Sequence, residues 1–233
     1  MTADPHPKGP TPLAVIKGWR SPEPNARRLA RNLRQLTHHD ERSCRVFSYN
    51  SRRGIPAIAT DVAARIQNAW PNHTTIDIAA VSMGGLIARH IAANPNQHKL
   101  TVRTLYTLAT PHRGAQLARI FHFLDASTAQ MRPGSPFLEQ LDHALTRPQT
   151  RPTRLITLSR TRDWWVGTAN TKLPEHLAKN LPDHEAHTVH APPHTLAHLL
   201  VARDKHIPQL IARDLERQTP TTAPHHTPAI LTP

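Results

Sequence analysis

The chain has 233 residues, one cysteine and a formal net charge of +13, and 38% of its residues are hydrophobic. This length is enough for one large domain with a full core, and a single cysteine excludes an intrachain disulfide. The arginines are dispersed, with no run of five basic residues and no interleaved aromatics, so we expect no specific nucleic-acid binding. A basic surface of this kind favours peripheral contact with anionic surfaces or acidic partners.

The two ends of the chain differ in composition from the rest. Residues 1–12 are polar and proline-rich, which predicts a disordered lead-in without the apolar core of a signal peptide. Residues 218–233 are rich in Thr, Pro and His without periodicity, which predicts a disordered tail. No segment approaches membrane-spanning length, so we expect a cytoplasmic protein whose folded domain covers residues 13–217.

Short apolar runs and amphipathic runs alternate through the first third of the chain. Residues 13–16 and 44–49 predict strands, and residues 55–70 predict an amphipathic helix. A further helix between the two strands has an apolar face opposed by arginines. That apolar face consists of Ala26, Leu29, Ala30, Leu33 and Leu36.

The same alternation continues through the second half. Residues 101–108, 155–158 and 187–191 predict three more strands, and a final helix follows with Asp204 as its cap. Strands that alternate with helices at this spacing predict an α/β fold, a mostly parallel sheet of about six strands with helices on both faces. The apolar stripe of the final helix is Ile207, Leu210, Ile211 and Leu215.

The central stretch, residues 75–91, changes from strand to helix within about three residues. An apolar run typical of a strand buried on both faces leads directly to Ser82, and helical spacing begins just after it. A turn this sharp requires small residues two positions before and after the serine, and Ala80 and Gly84 occupy those positions. The pattern Ala-x-Ser-x-Gly resembles the nucleophile elbow of the α/β-hydrolase superfamily. The alternative is a structural serine in a parallel-sheet turn.

A second segment strengthens the resemblance. Residues 110–114 read Thr-Pro-His-Arg-Gly, similar to the Thr-Pro-His-x-Gly segment that follows the next strand in bacterial lipases and esterases. The likeness spans roughly residues 13–215 and implies the α/β-hydrolase fold. We interpret His112 as a structural residue that shapes the pocket floor. Residues 118–145 interrupt the alternation and predict either a short lid-like insertion, forming one wall of an acyl pocket, or two ordinary surface helices.

The resemblance also implies a triad in the chain order serine, acid, histidine. Ser82 is the expected nucleophile. Asp163 is the preferred acid because it follows the strand 155–158 at the carboxyl end, where ligands gather in such sheets. Asp125 is the alternative acid, since some lipases place this residue one strand earlier.

The base is expected between the last strand and the final helix, where three histidines are available. We prefer His198, because the residues from it to Asp204 resemble the terminal block of the family. His194 lies closer to the predicted strand end and is the alternative, and His190 is the third histidine in this stretch.

Two backbone amides are expected to hold the oxyanion. One belongs to Met83, directly after the nucleophile, and the other to Trp19, or to Arg20 if the loop is longer. Relatives commonly have His-Gly in this loop, whereas the present chain has Lys17 and Gly18.

The expected function is a serine hydrolase that acts on small-molecule carboxylic esters or lipids and needs no cofactor. The altered loop and elbow leave open a catalytically silent protein that binds a lipid or partner in the same cleft. An acyltransferase or thioesterase would use the same three residues. We predict no metal site, since the adjacent His38, His39 and Asp40 fall at a helix end.

Overall fold

The structure is a computed structural model that describes residues 9–116, 118, 125–190, 198 and 201–218. Most of the predicted lead-in and all of the predicted tail after residue 218 lie outside these residues. Residue 218 itself, predicted as the first of the tail, is the last residue of the final helix.

Six parallel strands form one sheet in the order β2-β1-β3-β4-β5-β6. The predicted α/β architecture with a parallel sheet of about six strands is therefore confirmed. The strands are β1 (Leu13–Ile16), β2 (Cys44–Phe47), β3 (Thr75–Val81), β4 (Thr101–Leu108), β5 (Arg154–Arg160) and β6 (His184–Val189).

Eight α-helices are present among the described residues, together with three short 3₁₀ turns. The helices are α1 (Glu23–Leu36), α2 (Ile55–Ala69), α3 (Met83–Ala93), α4 (Pro95–His98), α5 (Ala126–Gln130), α6 (Pro136–Leu145), α7 (Glu175–Asn180) and α8 (His206–Gln218). The 3₁₀ turns are Pro148–Thr150, Thr168–Thr171 and Val201–Arg203.

Two apolar clusters enclose the sheet, one on each face. The apolar sides of α2, α3 and α6 pack on one face, and those of α1 and α8 pack on the other. Because β3 is buried on both faces, it lacks the apolar and polar alternation of a half-exposed strand. The sheet is thus packed between two helical layers.

Three sequence predictions differ in detail from the structure. The last strand is His184–Val189 rather than residues 187–191; it is an edge strand with alternating half-buried and exposed residues, so its apolar signal is weak. The second strand ends at Phe47, although Tyr49 beyond it is buried and its hydroxyl donates to the Lys17 carbonyl at 2.9 Å. Leu36, placed on the apolar face of α1, is 40% exposed at the last residue of that helix.

The predicted insertion contains two helices within its described part. Residues of α6 and the preceding Met131 belong to the main core, so this part of the insertion packs on the body of the domain. The apolar residues predicted at 120–124 lie outside the described residues.

Buried ion pairs connect the amino-terminal ends of the strands. Asp77, fully buried at the start of β3, accepts from Arg103 Nε at 2.9 Å and from the Thr104 amide at 3.1 Å. Arg154, at the start of β5, pairs with Asp214 of α8 at 2.6 Å, and Asp214 also accepts from the Tyr106 hydroxyl at 2.7 Å. The first pair joins β3 to β4 and the second joins β5 to α8, both at the end of the sheet away from the strands' carboxyl ends.

Candidate active site

Ser82 lies in a strained turn between β3 and α3. Its backbone has φ of 52° and ψ of −125°, an unfavourable conformation for a residue with a side chain. Three hydrogen bonds hold it there: its amide donates to the Leu108 carbonyl at 2.7 Å, and its carbonyl accepts from the Gly85 amide at 2.9 Å and the Thr110 hydroxyl at 3.0 Å. Such strain costs about 1–3 kcal/mol and persists only where the surroundings impose it.

The two glycines after Ser82 allow neighbouring loops to approach closely. A Cβ on Gly84 would lie 2.5 Å from the Lys17 carbonyl oxygen, and one on Gly85 would lie 2.0 Å from the Thr110 hydroxyl oxygen. Ala80, on the other side of the turn, is fully buried within β3. Because Gly84 has no Cβ, the loop after β1 can lie next to the Ser82 turn. Because Gly85 has none, the segment after β4 can do the same.

The side chains of Ser82, His198 and Asp163 form a continuous hydrogen-bonded chain. The Ser82 Oγ atom lies 2.9 Å from His198 Nε2, and His198 Nδ1 lies 2.9 Å from Asp163 Oδ2. The Asp163 carboxylate is fully buried, and the His198 side chain is 10% exposed. An ionised carboxylate only accepts, so the imidazole carries its proton on Nδ1 and offers Nε2 as the acceptor for the serine hydroxyl.

The loop after β5 presents Asp163 toward the histidine. The Val166 amide donates to the second carboxylate oxygen of Asp163 at 3.1 Å, and the Gly167 amide donates to the Asp163 carbonyl at 2.9 Å. Trp165 stacks on the His198 ring with centroids 6.0 Å apart and planes inclined by 9°. The sequence interpretation missed this contact, since nothing in the pattern distinguishes Trp165 from the neighbouring Trp164, which is 82% exposed.

The alternative candidates have different surroundings. Asp125 caps α5 by accepting from the Thr128 amide at 2.9 Å, and it also accepts from Trp19 Nε1 at 3.4 Å. His190 is exposed at the end of β6, and His194 lies outside the described residues. Asp163 is therefore the candidate acid that contacts His198.

Two amides were predicted to face the oxyanion. Met83 is the first residue of α3, so its amide has no acceptor within the helix. The Arg20 amide donates to the Ser51 hydroxyl at 3.1 Å, which makes Arg20 the weaker choice in its loop. Trp19 lines the cavity in front of Ser82 and remains the candidate for the second donor.

A cavity of about 370 Å³ opens beside Ser82 and His198. Its wall is mainly apolar, and no Asp, Glu, Lys or Arg side chain is among its described lining residues. This wall can therefore remove water from an uncharged, apolar ligand without the free-energy cost of burying an unpaired charge. The apolar lining includes Trp19, Val81, Pro111, Met131, Trp165 and Val166.

His112 is buried behind the site rather than in it. Its Nδ1 lies 3.2 Å from an Arg89 nitrogen, and its Nε2 lies 3.0 Å from the Thr107 hydroxyl. Burial, and next the Arg89 charge, hold the pKa of His112 well below its usual value. A neutral His112 therefore joins α3 to the end of β4, next to Pro111 of the cavity wall.

No set of three or more His, Cys, Asp or Glu side chains within the described ranges could hold a metal ion. His39, in the cluster considered above, contacts the Thr37 hydroxyl and the Thr11 carbonyl. Among the described helices, none is both long and apolar enough to cross a membrane.

Comparison with known proteins gives a partial sequence match and extensive structural matches. A family model described as a PGAP1-like alpha/beta domain matches residues 53–134. No curated protein sequence matches the chain.

Solved structures match nearly the whole chain at low identity. The mature Bacillus licheniformis lipase BlEst2 has a TM-score of 0.60 and 16% identity, covering 92% of this chain and 95% of its own. A lipase-esterase related protein from Clostridium acetobutylicum has a TM-score of 0.57 and 13% identity, with 90% and 95% covered. The Paleococcus ferrophilus monoacylglycerol lipase has a TM-score of 0.58 and 11% identity, with 91% and 97% covered.

At these identities the structural similarity establishes the fold only, and the chemistry must be inferred from the geometry of the site. The sheet order, the strained serine turn after β3 and the matches to lipases and esterases all indicate the same fold. The chain has the α/β-hydrolase fold, as the motifs of its sequence predicted.

Proposed function

We propose that this protein is a serine hydrolase that cleaves carboxylic esters through an acyl-enzyme. The observation that carries the proposal is the hydrogen-bonded chain of Ser82, His198 and Asp163 beside an apolar cavity. A serine hydroxyl is a weak nucleophile until an adjacent imidazole takes its proton, and a carboxylate keeps that imidazole in the required tautomer.

In the acylation half-reaction, Ser82 Oγ attacks the acyl carbon while its proton passes to His198 Nε2. The carbonyl oxygen becomes an oxyanion, which the Met83 and Trp19 amides stabilise. The tetrahedral intermediate then collapses, the bond to the alcohol oxygen breaks, and His198 returns the proton to that oxygen. Asp163 stays ionised and stabilises the transient imidazolium.

In the deacylation half-reaction, water replaces the alcohol. His198 takes a proton from the water as its oxygen attacks the acyl carbon, and the second tetrahedral intermediate releases Ser82 with its proton restored. The products are a carboxylic acid and an alcohol. No cofactor enters either half-reaction.

The cavity supports an uncharged acyl group as substrate. Its described wall offers no charged partner to a substrate carboxylate or ammonium group, and burying an unpaired charge is costly. Solved structures with the same fold include a lipase and a monoacylglycerol lipase, which agrees with an ester or a lipid fragment as substrate. Cytoplasmic residence and contact with anionic surfaces stay predictions from the sequence.

The proposal is tested by hydrolysis of p-nitrophenyl esters of increasing chain length. We expect turnover by the wild type, loss of turnover in His198→Ala, and retention of most turnover in His194→Ala. Loss of activity in His194→Ala with activity retained in His198→Ala would show that His194, four residues earlier, is the base. A wild type without turnover on any ester or acyl-CoA would contradict the proposal and favour a silent binding protein.

A further inference from the structure

The short helix α5 is bonded directly to the loop that carries Trp19. Asp125, the N-cap of α5, accepts from Trp19 Nε1 at 3.4 Å and forms an ion pair with Arg20 at 3.7 Å. The Arg20 guanidinium also lies over the Trp19 ring, 4.8 Å from its centroid. One carboxylate thus contacts the side chain of Trp19, whose amide is the candidate oxyanion donor, and the side chain of the next residue, Arg20.

A second set of contacts holds the same loop from the other side. The Arg20 amide donates to the Ser51 hydroxyl at 3.1 Å, and the Ser127 hydroxyl of α5 lies 2.9 Å from the Ser51 carbonyl oxygen. Ser127 also lies 2.7 Å from Asp125 Oδ1. The loop after β1, the loop after β2 and α5 are therefore joined in one polar network.

The charge of Asp125 exceeds what a helix cap requires. Its side chain is only 4% exposed, and burial opposes its ionisation, yet the bonds from Ser127, Thr128 and Trp19 together lower its pKa. Ser135 caps the neighbouring helix α6 with an uncharged hydroxyl. A serine would cap α5 without the cost of burying a carboxylate, but it would not reach both Trp19 and Arg20 as the carboxylate does.

We propose that Asp125 is a positioning residue for the oxyanion-binding loop, acting through the Trp19 indole and Arg20 to hold the Trp19 amide in place. This inference rests on the proposed function. Donors must lie within about 2.7–3.1 Å of the oxyanion, so a small displacement of the loop weakens transition-state binding more than substrate binding. The insertion after β4 then acts as a support for the catalytic loop.

A double-mutant cycle tests the inference on the full-length protein. Asp125→Asn removes the charge, and Trp19→Phe removes the Nε1 donor while keeping an aromatic side chain, smaller than the indole, and the backbone amide. We expect each to lower kcat about tenfold with KM changed less than about twofold. We expect the double variant to be no slower than the slower single variant, because both changes weaken the same attachment of the Trp19 loop to residue 125.

A trifluoromethyl ketone that forms an oxyanion adduct with Ser82 supplies an independent readout. Its inhibition constant should rise in proportion to the fall in kcat/KM across the variants. Ser135→Ala is the matched control: it removes a cap from the same insertion without touching the Trp19 loop. We expect it to lower the melting temperature while leaving kcat and the inhibition constant unchanged.

The possible outcomes separate the inference from the proposed function. Additive effects of the two substitutions, a change in KM alone, or unchanged kinetics would overturn the role of Asp125 and leave the ester hydrolase intact. Absence of turnover in the wild type would remove both. If Asp125→Asn does not fold, Trp19→Phe with the ketone still decides, since an unchanged inhibition constant would overturn the inference.

Discussion

The carboxyl ends of the strands, here called the carboxyl edge, and their amino ends, here called the amino edge, differ in backbone conformation and in charge. At the carboxyl edge, four described residues other than glycine have positive φ within four positions after the last residue of a strand: Arg20 (45°), Ser82 (52°), Ala109 (49°) and Arg162 (60°). At the amino edge only Lys99 (47°), two positions before β4, has this conformation among the described residues other than glycine, and the strand starts are connected by ion pairs of the buried carboxylates Asp77 and Asp214.

The comparison shows where the fold stores strain and where it gains stability. Positive φ at residues with side chains is unfavourable, and its concentration after β1, β3, β4 and β5 coincides with the candidate active site. The hydrogen-bonded charges at the other edge join strands to one another and to α8 without touching that site. Substitutions at the amino edge should therefore lower stability without changing activity, whereas those at the carboxyl edge should change activity.

The largest expected effect is on Ser82. Ser82→Ala should lower kcat/KM by a factor of about 10⁴ or more, because the nucleophile is removed. Ser82→Gly should be equally inactive but more stable than Ser82→Ala by about 1 kcal/mol, since glycine adopts the positive φ without strain. Urea unfolding of the two variants checks this, and equal midpoints would contradict the account of strain.

Gly84→Ala is expected to damage both activity and stability. The added Cβ would meet the Lys17 carbonyl oxygen at 2.5 Å and push apart the elbow and the loop after β1. We expect a loss of about 1–3 kcal/mol in unfolding free energy, typical of an overpacked site, and a large fall in kcat. Gly134→Ala is a useful control, because no atom lies within 4 Å of the Cβ position and its effect should come from backbone conformation alone.

Tyr106→Phe tests the amino edge. It removes the hydroxyl that donates to Asp214 at 2.7 Å within a buried network. We expect a loss of about 1–2 kcal/mol in unfolding free energy, with kcat and KM unchanged. A fall in kcat comparable to that of the carboxyl-edge variants would break the separation between the two edges.

The smallest expected effect is a dependence of stability on pH. Burial lowers the pKa of His112 well below its usual value, and burial together with the nearby His98 lowers that of His90 to about 4. Between the folded pKa and the unfolded value near 6.5, the unfolded chain binds more protons, so stability should fall as the pH falls below about 6.5.

Urea midpoints measured between pH 7.5 and pH 5 check this dependence, and His112→Gln should make the slope shallower. The expected fall in stability at lower pH follows from the lowered pKa values of the buried histidines. A slope that steepens in His112→Gln would contradict the neutral, buried state of this residue.

Much of the architecture could be predicted because buried parallel strands appear in the sequence as continuous apolar runs. The strand at 101–108 was predicted at its observed bounds, Thr101–Leu108, whereas the prediction for the edge strand β6 was displaced because none of its residues is fully buried and its apolar signal is weak. The candidate site residues could be named because strand ends carry them in a fixed chain order. The contacts of Trp165 with His198 and of Asp125 with Trp19 depend on loop conformation, which no periodic pattern encodes.

The measurement closest to the central claim is labelling with a fluorophosphonate probe followed by mass spectrometry of the peptides. A serine activated by His198 should carry one phosphonyl group on Ser82 in the wild type. His198→Ala should lose the label, and His190→Ala, with an exposed histidine replaced, should keep it. An unlabelled wild type, or a label on another residue, would contradict the account.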